Sequence, residues 1–180
     1  MTNEVFRAII KAQKGKEMIT MFHLWYKDDP YNKNSNRNLS NTDRKTFNCG
    51  GYALGTFSWY CPHSEEDLKR GQLGYDYSFT SREEAWEKTM YCVSRMILDF
   101  EGNLRVIERL AQLDKKTERA VAFRLSADGD FHYIKKSANG HWHHKRGRNP
   151  LIWRMSEHDV FNTNWCGRYG GPIVLLAIKK

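Results

Sequence analysis

The sequence predicts an α+β fold in which helices pack on a C-terminal antiparallel sheet. Apolar residues recur at helical spacing in the middle of the chain, over residues 81–100, and strand-like alternation with glycine turns dominates the last third. Helices followed by an antiparallel sheet form the usual α+β layout. With 180 residues, of which 40% are hydrophobic, the chain is long enough for one compact domain with a substantial core.

The N-terminal quarter differs in composition from the rest. Residues 4–27 contain two runs rich in β-branched and aromatic residues around a polar turn with Gly15, which predicts a β-hairpin, with a short helix as the competing interpretation of the first run. Residues 27–45 contain five asparagines and predict a polar loop. We therefore expect a hairpin and loop over residues 1–45 and the main domain over residues 46–180.

Three helices are expected before the sheet. The first starts at Cys49 and extends to about residue 60. Ser81 followed by Glu84 is a capping-box signature for a second helix, and a third is expected over residues 104–113. The core positions expected on the second helix are Trp86, Met90, Val93, Ile97 and Phe100.

The last third predicts strands joined by glycine turns. One turn, Asn139-Gly140, leaves the register of its hairpin open. A two-residue loop puts His132 on one face with His141 and His143, whereas a three-residue loop with glycine in the bulge position puts it with Trp142 and His144. The expected strands are residues 119–126, 131–136, 141–145, 151–155 and 172–178.

Cys49 is the first candidate for chemistry, because the start of a helix stabilises a thiolate through its partial positive charge and spare N–H groups. The alternative is a buried, inert thiol in a tightly packed helix. Gly50 and Gly51 follow directly and each costs about 1 kcal/mol relative to alanine in a helix, so they require a reason such as access of a substrate to the sulfur. The expected partner is His132, since a thiol nucleophile benefits from an imidazole base.

Cys49 opening a helix, His132 opening a strand and His144 on the next strand resemble the NlpC/P60 branch of papain-like cysteine hydrolases. The resemblance covers roughly residues 47–60 and 120–147. It implies a papain-like α+β domain that needs no metal or cofactor, with Cys49 as nucleophile, His132 as base and His144 orienting His132. It also implies a peptide or amide substrate, with the bond in a peptidoglycan peptide, a protein or an isopeptide.

The chain departs from this family pattern in two places. Asn48 stands where an aspartate often precedes the cysteine, and Gly51 and Tyr52 alter the usual order after it. These departures bear on substrate preference. The N-terminal hairpin lies outside the family pattern.

A second function is suggested by the formal net charge of +8, which favours anionic partners. A basic hairpin on a small α+β body also resembles some phage-encoded anti-CRISPR proteins that inactivate Cas9 by binding or truncating its guide RNA. Histidines can cleave RNA by acid and base catalysis without a thiol. The residues expected to contact RNA or a Cas9–guide RNA ribonucleoprotein are Arg7, Lys11, Lys14 and Lys16 in the hairpin, Trp142 by stacking, and Lys145, Arg146 and Arg148 on phosphates.

Metal binding and membrane insertion are not expected. His141, His143 and His144 with a cysteine are a possible zinc set, but they alternate across strand faces and lack a standard ligand spacing. The four cysteines lack a CxxC pair and fit reduced thiols in the cytoplasm. No signal peptide is visible, and no apolar run approaches the ~18 residues of a membrane span.

Overall fold

The computed structural model describes residues 45–56, 58–62, 76–138, 140–147 and 149–180. The expected N-terminal hairpin and the polar segment up to residue 44 lie outside these ranges, so the proposed boundary at residue 45 stays a prediction.

The described part of the chain is α+β and contains a six-stranded sheet in which every neighbouring pair is antiparallel. The strand order is β1-β6-β2-β3-β4-β5. The expected mixed fold with an antiparallel sheet is therefore confirmed. The strands are β1 (Leu104–Ile107), β2 (Glu118–Leu125), β3 (Phe131–Lys136), β4 (Trp142–Lys145), β5 (Ile152–Met155) and β6 (Val174–Lys179).

The described helices are α1 (Cys49–Leu54), α2 (Arg82–Asp99) and α3 (Glu157–Asn162). The expected cap of α2 is present, because the Ser81 hydroxyl accepts a hydrogen bond from the Glu84 N–H. Helix α1 is shorter than expected and ends at Gly55, whose φ of 81° is the left-handed conformation that glycine adopts at helix ends. Helix α3 was not predicted, although Ser156 caps it through the Asp159 N–H.

The prediction of a helix over residues 104–113 is wrong. Residues Leu104–Ile107 instead form β1, an edge strand that pairs with β6, and a 3-10 turn follows at Leu110–Gln112. The spacing of Leu104, Ile107 and Leu110 fits a helix, but the first four residues pair with β6, and tertiary pairing overrides a weak local preference.

The sheet is covered on both faces. We call the face covered by α1 and α2 the helical face, and the face covered by α3 and residues 165–169 the far face. Strand β6 contributes Leu176 to the helical face and Ala177 to the far face, as expected of a strand buried on both sides. Met90 and Val93 on α2 and Phe100 at its C-cap are buried, whereas Trp86, expected in the core, is 38% exposed.

Candidate functional site

The hairpin of β3 and β4 has the register expected of a three-residue loop. Lys135 lies opposite His143 and Lys136 lies opposite Trp142. Gly140 has a φ of 83°, the left-handed conformation that such a loop requires. Because side chains alternate along a strand, this register puts His132 and His144 on the same face.

His132 and His144 form a buried imidazole pair. The Nε2 atom of His132 lies 2.8 Å from Nδ1 of His144, and the ring planes are nearly perpendicular, at 88°. The His132 ring also stacks on Tyr169, with centroids 4.9 Å apart and planes 21° apart. Only 2% of His132 and 3% of His144 is exposed, so packing and one shared hydrogen bond fix both rings.

Burial keeps the imidazole pair uncharged near neutral pH. Burial lowers the pKa of His144 to about 4, and the Arg146 charge adds to the lowering. The pKa of His132 is lowered well below its usual value, first by burial and then by the charges of His144 and Arg146. A neutral His132 has a lone pair for a proton, as a general base needs, although burial disfavours the charged imidazolium that results.

The ladder between β3 and β4 stops short of the imidazole pair, and we call the unpaired stretch of the β3 edge beside the pair the β3–β4 gap. The Ser126 N–H donates to the Asp130 carbonyl at the start of the β2–β3 hairpin. Alternate residues of an antiparallel strand bond to the same neighbour, so the main-chain groups of Phe131 and Tyr133 point towards β4. The ladder with β4 consists of pairs at Lys135 and Lys136, which leaves the Phe131 and Tyr133 groups facing the gap.

Cys49 approaches this gap from the helical face. Its Sγ lies 3.8 Å from the Phe131 carbonyl, which accepts the thiol hydrogen bond. The thiol belongs to the same core cluster as Tyr133, whereas His132 points to the far face against Tyr169. Among the described residues, no hydrogen bond joins the Cys49 thiol to either histidine. The structure thus brings Cys49 to the strand that carries His132, but not into contact with its ring.

The Cys49 thiol is neutral in this arrangement. Burial raises the pKa of Cys49 to about 12, and the charge of Asp130 adds to the increase. The expected lowering by the helix start is outweighed, because α1 has only six residues and Cys49 is only 4% exposed. Cys49 therefore needs a base for nucleophilic chemistry.

The hydrogen bonds of the Asn48 side chain explain why an asparagine fits at the start of α1. Its Oδ1 accepts hydrogen bonds from the N–H groups of Gly51, at 3.0 Å, and Tyr60, at 3.1 Å. Its Nδ2 donates to the Tyr60 carbonyl at 2.6 Å. An aspartate has no donor for that carbonyl, so the asparagine fits the junction between α1 and residues 58–60. The sequence singled out Asn48 without revealing this positioning role.

Tyr169 and Cys166 are residues near the imidazole pair that sequence reasoning missed. The Tyr169 hydroxyl donates to Asp130 Oδ2 at 2.7 Å, which holds the ring that stacks on His132. Both residues lie in the segment between α3 and β6, where no periodic pattern or motif marks them.

Two of the residues expected to contact nucleic acid are buried, which corrects that prediction. Trp142 and Lys145 are both fully buried. The Lys145 Nζ donates to the carbonyls of Phe47 and Gly147, and burial lowers the pKa of Lys145 to about 8. Trp142 therefore offers no face to a base, and Lys145 holds the chain before α1 instead of a phosphate.

Arg146 is the exposed member of the expected nucleic-acid set within the described ranges, and its guanidinium lies 5.4 Å from the Trp153 ring centroid. The other expected contact residues, Arg7, Lys11, Lys14, Lys16 and Arg148, lie outside those ranges.

The histidines named as a possible zinc set do not come together. His143 points to the helical face, where its Nδ1 lies 2.7 Å from the Ser137 hydroxyl oxygen, whereas His144 points to the far face.

Comparisons with protein-family models, with curated proteins and with solved structures find no match. Function is therefore inferred from the site itself. None of the described helices combines the length and apolar composition needed to cross a bilayer.

The lowered pKa of His144 predicts an acid-sensitive fold. An unfolded histidine binds a proton below about pH 6.5, whereas folded His144 resists it down to about pH 4, so the unfolding free energy falls as the pH drops through this window. We expect His144 to account for about 2 to 3 kcal/mol of the loss between pH 7.5 and 4.5. Urea unfolding of the parent and His144→Asn at both pH values measures this difference.

The exposed His158 provides the control. His158→Asn should lose as much stability on acidification as the parent. If His144→Asn loses as much unfolding free energy on acidification as the parent, protonation of His144 does not cause the acid destabilisation.

Proposed function

We propose that this protein is a cysteine hydrolase that cleaves an amide or peptide bond, with the imidazole pair as its proton-transfer centre. The contact of 2.8 Å between His132 Nε2 and His144 Nδ1 carries the proposal. A base needs a second polar group to fix its tautomer and orientation, and His144 provides it. Because Nε2 of His132 is engaged, Nδ1 is the nitrogen left for a thiol.

Cys49 is the proposed nucleophile. Its thiol is in the β3–β4 gap, bonded to the carbonyl of the residue before His132. The proposed mechanism requires the His132 ring, which is fixed on the far face at rest, to leave its stack on Tyr169 and turn towards the gap, where β3 and β4 are not paired. His132 then removes the thiol proton as Cys49 attacks the substrate carbonyl, and returns it to the leaving amine.

The thioester formed by this attack is hydrolysed by water, again with His132 as the base, which regenerates the thiol and releases an acid. The developing oxyanion needs N–H donors. Asn48 accepts the hydrogen bond of the Gly51 N–H, so the N–H groups of Cys49 and Gly50 are the candidate donors at the start of α1.

Replacing Cys49 with alanine is expected to reduce hydrolysis by about 10⁴-fold or more while the protein stays folded, because no other described thiol is bonded to the β3 edge. The measurement is amine release from a panel of fluorogenic peptides, protein isopeptides and isolated peptidoglycan. Cys92→Ala is the matched control, since this buried thiol lies on α2 and should leave turnover nearly unchanged. Full activity of Cys49→Ala would refute Cys49 as the nucleophile.

A further inference from the structure

A third side chain meets the imidazole pair on the far face. The Cys166 sulfur and one ring nitrogen of each of His132 and His144 all lie within 4.8 Å of one another. Cys166 is exposed, in contrast to the two histidines, so the cluster has one side open to solvent. The proposed hydrolase chemistry does not use this thiol.

The segment from Trp165 to Tyr169 holds the Cys166 thiol in place. The two end residues bond to each other, with the Trp165 N–H donating to the Tyr169 carbonyl and the Tyr169 N–H donating to the Trp165 carbonyl. The Trp165 indole is buried and donates to the Val160 carbonyl at 2.8 Å. At the far end, Tyr169 stacks on His132. The loop carrying Cys166 is thus anchored at one end in the core and at the other on the imidazole pair.

Cys166 has a left-handed backbone, with a φ of 56°. Residues with a Cβ pay roughly 1 kcal/mol or more for this conformation, and it persists only where the surroundings impose it. The two hydrogen bonds between Trp165 and Tyr169 impose it here.

One thiolate and two imidazoles are a ligand set that suits Zn²⁺. The ion binds sulfur at ~2.3 Å and imidazole nitrogen at ~2.0 Å, so tetrahedral ligand atoms are about 3.3 to 3.5 Å apart. The three ligand atoms lie within 4.8 Å of one another, so movements of no more than about 1.3 Å bring them to these separations. His132 Nε2 and His144 Nδ1 are closer than that, at 2.8 Å, so an ion bound by both would part the rings by about half an ångström.

We propose that Cys166, His132 and His144 bind a zinc ion, with the fourth position open to water on the exposed side. Binding converts the Cys166 thiol to a thiolate and releases one proton. The proton between the two imidazoles is not lost, because a shift to the other nitrogen of the same ring frees a lone pair for the metal.

Zinc at this site holds His132 on the far face, away from Cys49. If the proposed hydrolase function is right, occupancy removes the base and inhibits turnover, and a chelator restores it. This consequence rests on the proposed function, whereas metal binding does not.

Titration with Co²⁺, followed by competition with Zn²⁺, tests the site on the full chain without substrate. The parent is expected to show a thiolate-to-cobalt charge-transfer band that saturates at one equivalent. Cys166→Ala should lose the band and bind Zn²⁺ at least about 100-fold more weakly. Cys49→Ala, which removes the thiol on the other face, should bind like the parent.

Absence of the band in the parent, or an unchanged band in Cys166→Ala, would overturn the proposal, because then no metal site uses this thiol. Thermal unfolding of each variant without metal checks that the fold is retained. If Cys166→Ala is unfolded, Cys166→His retests the site: it keeps a nitrogen ligand, so Co²⁺ should still bind without the charge-transfer band. Loss of binding in this folded variant would count against the proposal.

Discussion

Removal of the His132 imidazole is expected to lower kcat for amide hydrolysis by about 10²- to 10⁴-fold, with a much smaller change in KM. The reason is the high pKa of Cys49, about 12, which leaves almost no thiolate at neutral pH unless a base removes its proton. His132 is neutral and hydrogen-bonded to His144, and it is the base in the proposed mechanism. Steady-state kinetics of His132→Ala on the substrate found for the parent measure the effect.

A double variant separates a catalytic role of His132 from a packing role. If Cys49 and His132 act together in catalysis, the double variant Cys49→Ala/His132→Ala should hydrolyse the substrate no more slowly than Cys49→Ala alone. His141→Ala is the control, because His141 is on the adjoining strand segment and contacts Arg154 rather than the pair. If His132→Ala keeps near-parent kcat, the imidazole pair is structural and the hydrolase proposal fails.

The sequence was sufficient for those parts of the fold that local chemistry determines. Ser81 and Glu84 start α2 because a hydroxyl at that position satisfies a helix N–H that has no other partner. The β3–β4 register was narrowed to two possibilities by turn chemistry, and the left-handed Gly140 selects the one that pairs His132 with His144. The start of α2 and the register of the β3–β4 hairpin are each determined by two or three neighbouring residues.

Features that depend on distant partners were not predictable. Lys145 was expected to contact phosphates at the surface, but it is buried, and the carbonyl of Phe47, 98 residues away, accepts a hydrogen bond from its Nζ. Cys166 meets the histidines only because the loop after α3 folds back over β3. No local pattern encodes such long-range contacts, and the sequence singled out Cys49 and His132 without showing that their side chains lie on opposite faces of the sheet.

The two glycines after Cys49 illustrate the same limit. The sequence suggested that they keep a path to the sulfur open, whereas the structure gives a packing reason. A Cβ built on Gly51 would lie 1.8 Å from the Ser58 carbonyl oxygen, and one on Gly50 would lie 2.9 Å from the Tyr60 carbonyl oxygen. Backbone atoms cannot move aside as a flexible side chain can, so α1 and residues 58–60 approach this closely only without side chains.

Gly51→Ala is therefore expected to lower the unfolding free energy by at least about 3 kcal/mol, since overpacking against backbone forces the two segments apart. The same displacement breaks the bonds of Asn48 to Gly51 and Tyr60 and moves Cys49 out of the β3–β4 gap, so hydrolysis should fall with stability. Urea unfolding monitored by circular dichroism gives the stability change. Gly102→Ala is the matched control: its φ is 76° but nothing lies within 4 Å of the added carbon, so only the backbone cost of about 1 kcal/mol applies. If the two variants lose the same unfolding free energy, the predicted clash with the Ser58 carbonyl adds no destabilisation. The close approach of α1 to residues 58–60 then does not hold Cys49 in the gap.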